Sequence, residues 1–495
     1  MASGVETGRI TTDIPARMDR LPWARWHWMV VIGLGTVWIL DGLEVTIVGS
    51  MSAALQEEKT GLGLSSFDVG LAGAIYVAGA CIGALFFGQL TDRFGRKKLF
   101  LITLAVYTVA TVLTAFSMNP MWYFACRFLT GTGIGGEYAA INSAIDELIP
   151  AQYRGRVDVA INGSFWVGAA GGSLLTIPLL DPTVIDQGVG WRLAFGLGAI
   201  LAVGILIVRR NVPESPRWLF IHGREDEGDA IVRGIEDTVR DETGRRLSEV
   251  SETITIRQRK TIGLGLIAKT VFTLYPRRTI LCFSLFVGQA FLYNAFFFTY
   301  GDTLTTFLGV KQVGWYVAVF ALSNFVGALA LSPLFDTIGR VKMIAGTYIL
   351  SGVLLGVAGA VLGDLTPVTL TLFGAVIFFF ASAGASAAYL TASEIFPMET
   401  RALCIAFFYA IGTAAGGIAG PLLFGKLIED ATTGGKDITA IALGYFIGAA
   451  LMIGGGVVEI FLGVKAEGQS LESIAQPLTA EDASGGEAQT TSTRA

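Results

Sequence analysis

Long apolar blocks separated by short polar stretches are the most constraining feature of this sequence. A block of 18 or more residues with few charges is typical of a membrane helix. Windows of about 20 residues predict twelve spans. These spans are residues 28–52, 68–90, 99–117, 121–145, 157–179, 191–209, 279–300, 313–334, 343–362, 367–391, 401–425 and 438–463. Only 15% of the residues are charged, against roughly 25% in soluble proteins. We therefore predict an all-α integral membrane protein and exclude a soluble enzyme or a nucleic-acid binder.

The basic residues predict how these helices are oriented. If the chain starts in the cytoplasm, 29 of the 35 Lys and Arg residues fall on the cytoplasmic side, as the positive-inside rule requires. Because the start of the chain is polar through Arg25, we expect no cleaved signal peptide. We expect a multi-pass protein of the plasma membrane with both termini in the cytoplasm.

Two short motifs recur at nearly the same distance along the chain. DRFGRKK at 92–98 corresponds to DTIGRVK at 336–342, and ELIPAQYR at 147–154 corresponds to EIFPMETR at 394–401. Two related halves with a site between them are typical of transporters. We predict a cytoplasmic tail (1–27), a six-helix bundle (28–209), a cytoplasmic linker with amphipathic helices (210–277), a second bundle (278–464) and a disordered tail (465–495).

Four segments resemble signatures of one family in the expected order. They are GQLTDRFGRKK at 88–98, RFLTGTGIGGE at 127–137, PESPRWL at 213–219 and SEIFPMETR at 393–401. The chain is thus similar to the sugar-porter and metabolite:proton symporter branches of the major facilitator superfamily. The resemblance implies two pseudo-symmetric six-helix bundles, secondary transport by alternating access and no cofactor.

Charged residues inside the predicted spans are candidates for proton coupling, because such residues are costly in a bilayer. Asp41 and Glu44 share one face of the first helix, and Arg127 and Glu137 share one side of the fourth. Helix lengths bring Asp41 and Glu44 level with Arg127. We favour a switch in which ionised Glu44 pairs with Arg127 until a proton releases it. A permanent salt bridge between the two helices is the alternative.

The family resemblance adds detail to this hypothesis. It aligns the coupling carboxylate of the sugar porters with Glu44, and the first acid of a D-G-x-D/E pattern of aromatic-acid symporters with Asp41. We therefore expect Glu44 to be the main coupling carboxylate and Asp41 the second choice.

The candidates for substrate binding are polar and aromatic. Gln289 and Asn294 have the spacing of a sugar-porter amide pair, and amides both donate and accept hydrogen bonds. The other candidates are Tyr293, Phe297, Tyr300, Asn162, Trp166 and Tyr389. Tyr389 stands where the family has a Trp, and Gly288 and Leu292 also depart from the sugar-porter pattern. We expect a small organic acid or a sugar-like solute, with plain aromatic packing as the alternative for each residue.

The repeated motifs predict a cytoplasmic gate of ion pairs at the helix ends. Its members are Asp92, Arg96, Glu147 and Arg154 in the first half and Asp336, Arg340, Glu394 and Arg401 in the second. Gly95 and Gly339 permit the tight turns. The alternative is that these residues only set topology and cap helices.

The remaining features point to no other chemistry. Gly131, Gly133 and Gly136 match a dinucleotide-binding spacing, but they lie in an apolar helix, where they indicate close helix packing. Four cysteines in apolar blocks and two histidines predict no metal site. We predict a monomeric proton symporter. Facilitated uniport, proton-exchange efflux and a non-transporting membrane sensor are the alternatives.

Overall fold

A computed structural model describes residues 6–57, 62–209, 213–250, 252–259, 265, 268–397, 401–433, 435, 437–469 and 471–475. The first half of the chain contains one strand and nine helices within these ranges. They are β1 (Glu6–Thr12), α1 (Ile14–Asp19), α2 (Arg25–Ser50), α3 (Ser52–Gln56), α4 (Ser66–Phe94), α5 (Arg96–Ala115), α6 (Pro120–Leu148), α7 (Ala151–Gly163), α8 (Phe165–Leu179) and α9 (Gln187–Arg209).

In its described residues the linker contains two α-helices and a strand, and the second half follows it. These elements are α10 (Pro216–Ile221), α11 (Glu225–Thr243), β2 (Ile254–Arg259), α12 (Pro276–Leu308), α13 (Val313–Thr337), α14 (Arg340–Ala360), α15 (Pro367–Glu394), α16 (Arg401–Thr413), α17 (Ala419–Thr433), α18 (Ala442–Leu462) and α19 (Leu471–Ile474). Short π-helical turns span Lys269–Leu274 and Ala414–Ile418, and 3₁₀ turns span Leu362–Asp364 and Ile438–Ile441.

The helices form the predicted membrane architecture. Nine of them, within the described ranges, are long and apolar enough to cross a bilayer. Helix α6, the α7–α8 pair and α9 complete two bundles of six spans. The fifth span is interrupted at Ser164, and the eleventh contains the π-helical turn between α16 and α17. The fold class predicted from hydropathy is confirmed.

Glycine controls how closely α4 and α6 approach each other. A Cβ atom on Gly131 would collide with the backbone carbonyl oxygen of Tyr76. The glycine spacing of this segment therefore serves helix packing, which small residues permit in membranes. This packing holds the Tyr76 backbone close to α6.

The segment before the first span is folded rather than a simple polar tail. Strand β1 pairs antiparallel with β2 of the linker, so the protein contains a small sheet beside its helices. Asp19 at the end of α1 accepts a hydrogen bond from the Ala151 amide over 3.2 Å and one from Arg154 over 3.2 Å. The same carboxylate lies 3.6 Å from Arg217. These contacts join the segment to the end of the bundles where α5 and α14 begin, which we call the linker end.

Ion pairs bind α1 to α11. Arg17 contacts Asp229 over 2.6 Å and Glu236 over 2.6 Å, and Arg20 also contacts Glu236. Burial opposes ionisation of Glu236, but the hydrogen bonds from Arg17 and Arg20 outweigh it, so the pKa of Glu236 is lowered. The hydrogen bonds that Arg233 and Arg17 donate lower the pKa of Asp229. Both carboxylates are thus held in their charged form.

The end of the chain also differs in part from the prediction of a disordered tail. Residues 471–474 form α19, and the Leu471 side chain is fully buried. Arg278 donates a hydrogen bond to the carbonyl oxygen of Ile474 over 3.0 Å. Burial of Leu471 and this hydrogen bond attach the short helix to the start of α12. Residues 476–495 of the predicted tail lie outside the described residues.

Candidate transport site

A buried ion pair joins the first and fourth spans. Arg127 Nη1 donates to Glu44 Oε1 over 2.8 Å, and the exposed fractions of the two side chains are 0% and 2%. Thr111 of α5 donates to the other Glu44 oxygen over 3.0 Å. The helix geometry therefore brings Glu44 and Arg127 together as the sequence suggested. Whether this pair switches on protonation stays a prediction.

Two tyrosine hydroxyls hold Asp41, which lies one turn before Glu44. Tyr76 of α4 donates to Asp41 Oδ1 over 3.1 Å, and Tyr138 of α6 donates to Oδ2 over 2.5 Å. The Arg127 guanidinium lies 4.4 Å from the centre of the Tyr76 ring. Tyr76 thus connects the Asp41 carboxylate with the Glu44–Arg127 pair.

The fourth proton-coupling candidate lies further along α6. Glu137 is buried, and its ten-residue separation from Arg127 corresponds to about 15 Å along a helix. It is the immediate neighbour of Tyr138 in the chain. Its predicted role in coupling stays a prediction.

A cavity of about 120 Å³ lies between the two halves, next to these charges. None of its lining residues within the described chain carries a formal charge. The lining consists of Trp38, Val45, Tyr76, Val77, Ala80, Tyr138, Asn162, Phe165, Trp166, Gln289, Tyr293, Asn294, Ser382, Ala385, Ser386, Tyr389, Tyr409 and Thr413. Aromatic rings and a few amides and hydroxyls therefore form the walls.

The structure brings six of the predicted substrate residues to this cavity, namely Asn162, Trp166, Gln289, Tyr293, Asn294 and Tyr389. Tyr300 is absent from the lining, because its hydroxyl bonds Thr371 at 2.7 Å and its ring stacks on Phe296 at 4.9 Å. A contact between Tyr300 and the solute stays a prediction. The side chain of Phe297 lies outside the described part of the structure.

Two of the predicted amides, Asn294 and Asn162, are less available for a solute than the sequence suggested. Asn294 Nδ2 donates to the carbonyl oxygen of Ala290, one turn earlier, over 2.9 Å. Asn162 does the same with Asp158 over 2.9 Å. Each amide group satisfies one of its donors on its own helix.

The sequence analysis missed an aromatic wall shared by both halves. The Trp38 and Tyr138 rings stack with centroids 4.6 Å apart, and Tyr138 meets Tyr409 edge to face at 4.7 Å. Two predicted residues, Trp166 and Tyr293, form another aromatic contact of this cavity, with centroids 5.3 Å apart. The sequence does place Trp38, Tyr138 and Tyr409 at similar depths in their spans. Depth alone, however, does not show in which direction a ring points.

Polar contacts between the halves flank the cavity at both ends. At the linker end the backbone amide of Arg156 donates to Asp336 over 3.0 Å. At the opposite end Gln56 of α3 donates to Asp302 of α12 over 3.1 Å. The two halves therefore contact each other both at the linker end and at the opposite end.

The predicted gate motifs form ion pairs in both halves at the linker end. Arg96 contacts Glu147, and Arg340 contacts Asp336 over 2.7 Å and Glu394 over 3.1 Å. These side chains are largely buried, so their pairing matters more than that of exposed ions.

The turns before these arginines need glycine. Gly95 has φ of 93° and Gly339 has φ of 108°, a region that favours glycine. A carboxylate from the segment that follows the sixth span of each half accepts hydrogen bonds from the backbone of the turn. Glu214 accepts from the Arg96 and Lys97 amides over 3.1 and 3.2 Å, and Glu467 accepts from the Arg340 amide over 3.5 Å. The sequence analysis missed both acids, although each follows the last span of a half.

One gate candidate differs from the expected arrangement. Among the described side chains, the partner of Arg154 is Asp19 of the amino-terminal segment, at 3.2 Å, rather than an acid of the motif itself. The fold of that segment, which hydropathy does not reveal, brings Asp19 there. Arg401 is buried at the start of α16. The side chain of Asp92 lies outside the described part of the structure.

Twelve spans in two halves around a central cavity define a membrane transporter. A family model described as sugar (and other) transporter matches residues 26–477. The chain therefore belongs to the sugar (and other) transporter family, and its fold is that of the major facilitator superfamily.

The known proteins compared below are transporters, and their similarity to this chain extends over most of their length. The niacin transporter NiaP of Acinetobacter baylyi is 28% identical, over 93% of this chain and 99% of the relative. The putative niacin/nicotinamide transporter NiaP of Bacillus subtilis is 29% identical, over 80% and 87%. The proton:xylose symporter XylE of E. coli shares the fold, with a TM-score of 0.72, 16% identity and coverage of 90% and 98%.

Proposed function

We propose that this protein is a proton symporter that carries a small planar aromatic metabolite across the plasma membrane by alternating access. One observation carries the proposal. Two buried carboxylates, Asp41 and Glu44, are separated from an aromatic cavity by the tyrosines that bind Asp41. Because the buried acids lie beside the binding cavity, protonation of an acid can influence solute binding, as symport requires.

The proton step uses the ion pair between α2 and α6. When Glu44 is ionised it holds Arg127, and breaking a buried pair costs about 3–5 kcal/mol because one charge is left alone. A proton on this cluster removes a negative charge and weakens the tie between the helices. The membrane potential contributes about 2.3 kcal/mol per charge for each 100 mV. The energy of the ion pair and that of the membrane potential are together large enough to shift the equilibrium between the two conformations of the transporter.

The cavity walls favour a flat ring over a sugar. Trp38, Tyr138, Trp166 and Tyr293 offer ring faces and edges, and aromatic pairs add about 0.5–1.5 kcal/mol each beyond the area they bury. Niacin and nicotinamide, named for two relatives, are single pyridine rings with a carboxylate or an amide. Gln289 and Ser386 line the same cavity and supply hydrogen-bonding groups for such a substituent.

The gate completes the cycle. The contacts at the linker end and the Gln56–Asp302 contact at the opposite end close the two halves around the ligand. Opening one set while the other persists exposes the cavity to one side only. We place both termini and the linker end in the cytoplasm, because most of the Lys and Arg residues then lie there. We propose that one chain is the working unit, because both halves of the cavity belong to it.

The test is uptake into lipid vesicles that contain the purified protein. We expect labelled nicotinamide or nicotinate to accumulate when the outside is more acidic than the lumen. Accumulation should stop with a protonophore, while exchange of labelled for unlabelled solute continues. Uptake that only equilibrates, whatever the gradient, would show facilitated uniport. Accumulation driven by the opposite gradient, with the lumen more acidic than the outside, would show proton exchange, because protons and solute then move in opposite directions. Binding of xylose in preference to the pyridines would overturn the substrate class.

A further inference from the structure

We infer that Tyr138 is a positioning residue that transmits the protonation state of Asp41 to the substrate cavity. This inference rests on the proposed proton-coupled function. It names the side chain through which proton binding and solute binding affect each other.

Tyr138 touches both parts of the site. Its hydroxyl donates to Asp41 Oδ2, and its ring stacks on Trp38 and meets Tyr409 edge to face. The ring also lines the cavity. Trp38 belongs to the first half and Tyr409 to the second. A movement of the Tyr138 ring therefore changes contacts with both halves.

Protonation changes the hydrogen bond that holds Tyr138. An ionised carboxylate accepts hydrogen bonds at both oxygens, and bonds to charged acceptors are about twice as strong as neutral ones. When Asp41 takes a proton, it becomes a neutral acid with one O–H donor. The acceptor of the Tyr138 hydroxyl is then neutral, so its hydrogen bond is weaker and the ring shifts more easily against a ligand in the cavity.

The coupling is reciprocal. A ligand that draws the Tyr138 ring into the cavity weakens the bond that stabilises ionised Asp41, and so favours proton binding. By linkage, the proton strengthens ligand binding by the same factor. This is the positive coupling that symport requires.

Other charged or titratable groups surround Asp41. Tyr76 approaches from α4, Arg127 from α6 and Glu44 from the same helix, and the rings of Tyr389 and Tyr409 lie on the side of the second half. Tyr76 also donates to Asp41, but its ring lies against Arg127 at 4.4 Å. Tyr138 therefore combines the Asp41 contact with the ring contacts to both halves.

The experiment compares pH profiles of uptake in vesicles containing wild-type protein, Tyr138→Phe or Tyr409→Phe. The Phe substitution at 138 keeps the ring and removes the hydroxyl, which makes protonation of Asp41 easier. We expect the pH of half-maximal uptake to rise by about one unit, a tenfold change in proton affinity. Tyr409→Phe removes a hydroxyl from the same cavity without removing a donor to Asp41, and its midpoint should match that of the wild type.

The outcomes separate the inference from the proposed function. If the wild type shows no proton-driven uptake, the proposed function fails. If the wild type is proton-driven and Tyr138→Phe has the wild-type midpoint, the transmission through Tyr138 is wrong. Incorporation of 3-fluorotyrosine at position 138 keeps size and fold and strengthens the donor. Its midpoint should move in the opposite direction, to lower pH, and an unchanged midpoint would contradict the inference even if Tyr138→Phe failed to fold.

Discussion

Arg127 and Glu44 form an ion pair that is closed off from water inside the first bundle, with 2.8 Å between Nη1 and Oε1. The two residues lie 83 positions apart on helices that run in opposite directions. Because both charges are buried, neither can be removed without leaving the other in a medium of low polarity. This pair therefore links the stability of the bundle to its charge state.

Glu44→Gln tests the coupling role of this pair. The amide keeps the shape and a hydrogen-bond acceptor but cannot bind a proton, so accumulation driven by a pH gradient should be lost. Exchange of labelled for unlabelled solute should persist, because it needs no net proton movement. Both are measured in vesicles.

The matched control is Glu227→Gln, which removes a carboxylate from an exposed pair with Arg224. Exposed pairs contribute about 0.2–1 kcal/mol, so this variant should behave as the wild type. Proton-driven accumulation by Glu44→Gln at the wild-type level would rule out coupling through Glu44.

Trp166→Ala tests the aromatic cavity. Trp166 is buried and packs on Tyr293 at 5.3 Å, so its loss removes one wall. We expect the Kd for nicotinamide to rise roughly tenfold, since an aromatic contact contributes up to about 1.5 kcal/mol beyond its area. Isothermal titration in detergent measures it. Trp315→Ala, at a 56% exposed position on α13, should leave the Kd unchanged. Equal Kd values for both variants would place the ligand elsewhere.

Arg340→Ala tests the gate. Arg340 contacts Asp336 and Glu394, and Asp336 also accepts from the backbone of α7 in the other half. Without the guanidinium, the linker end should open more often. A cysteine introduced at Ser386 in the cavity lining should then react several-fold faster with a maleimide applied from that end.

The control for the gate variant is Arg233→Ala, which removes an exposed arginine that pairs with Asp229 of α11. Its labelling rate should equal that of the parent protein. A labelling rate for Arg340→Ala no higher than this control would show that these ion pairs do not restrict access at the linker end.

The contact between α1 and α11 should weaken in acid. The pKa values of Glu236 and Asp229 are lowered in the folded protein, so their stabilising effect is complete above the ordinary carboxylate range, about 3.9–4.3, and is lost as the pH falls through the lowered values. Hydrogen exchange, corrected for intrinsic rates, should show loss of protection in Ile14–Asp19 at pH about 3. The amides of α5 in the membrane should stay protected. Loss of protection on going to higher pH instead would contradict this sign.

The hydropathy of the chain was enough to predict the spans, because a bilayer demands long apolar helices whatever their neighbours are. The pairing of Glu44 with Arg127 was also predictable, since helix rise and span order place both at one depth. The partner of Arg154 was not. Asp19 reaches it through the folded amino-terminal segment, and the positions of such long-range contacts have no local pattern.

The sequence by itself determined the fold class, the internal repeat and the costly charges inside the membrane, because these follow from transfer energies and helix geometry that act locally. Only the tertiary structure decided the walls of the cavity. Trp38, Tyr138 and Tyr409 became one aromatic surface through the packing of α2, α6 and α16, while Tyr300 hydrogen-bonds Thr371 and does not line this cavity. The direction of a ring depends on which neighbours leave room for it, and close packing of distant segments settles that.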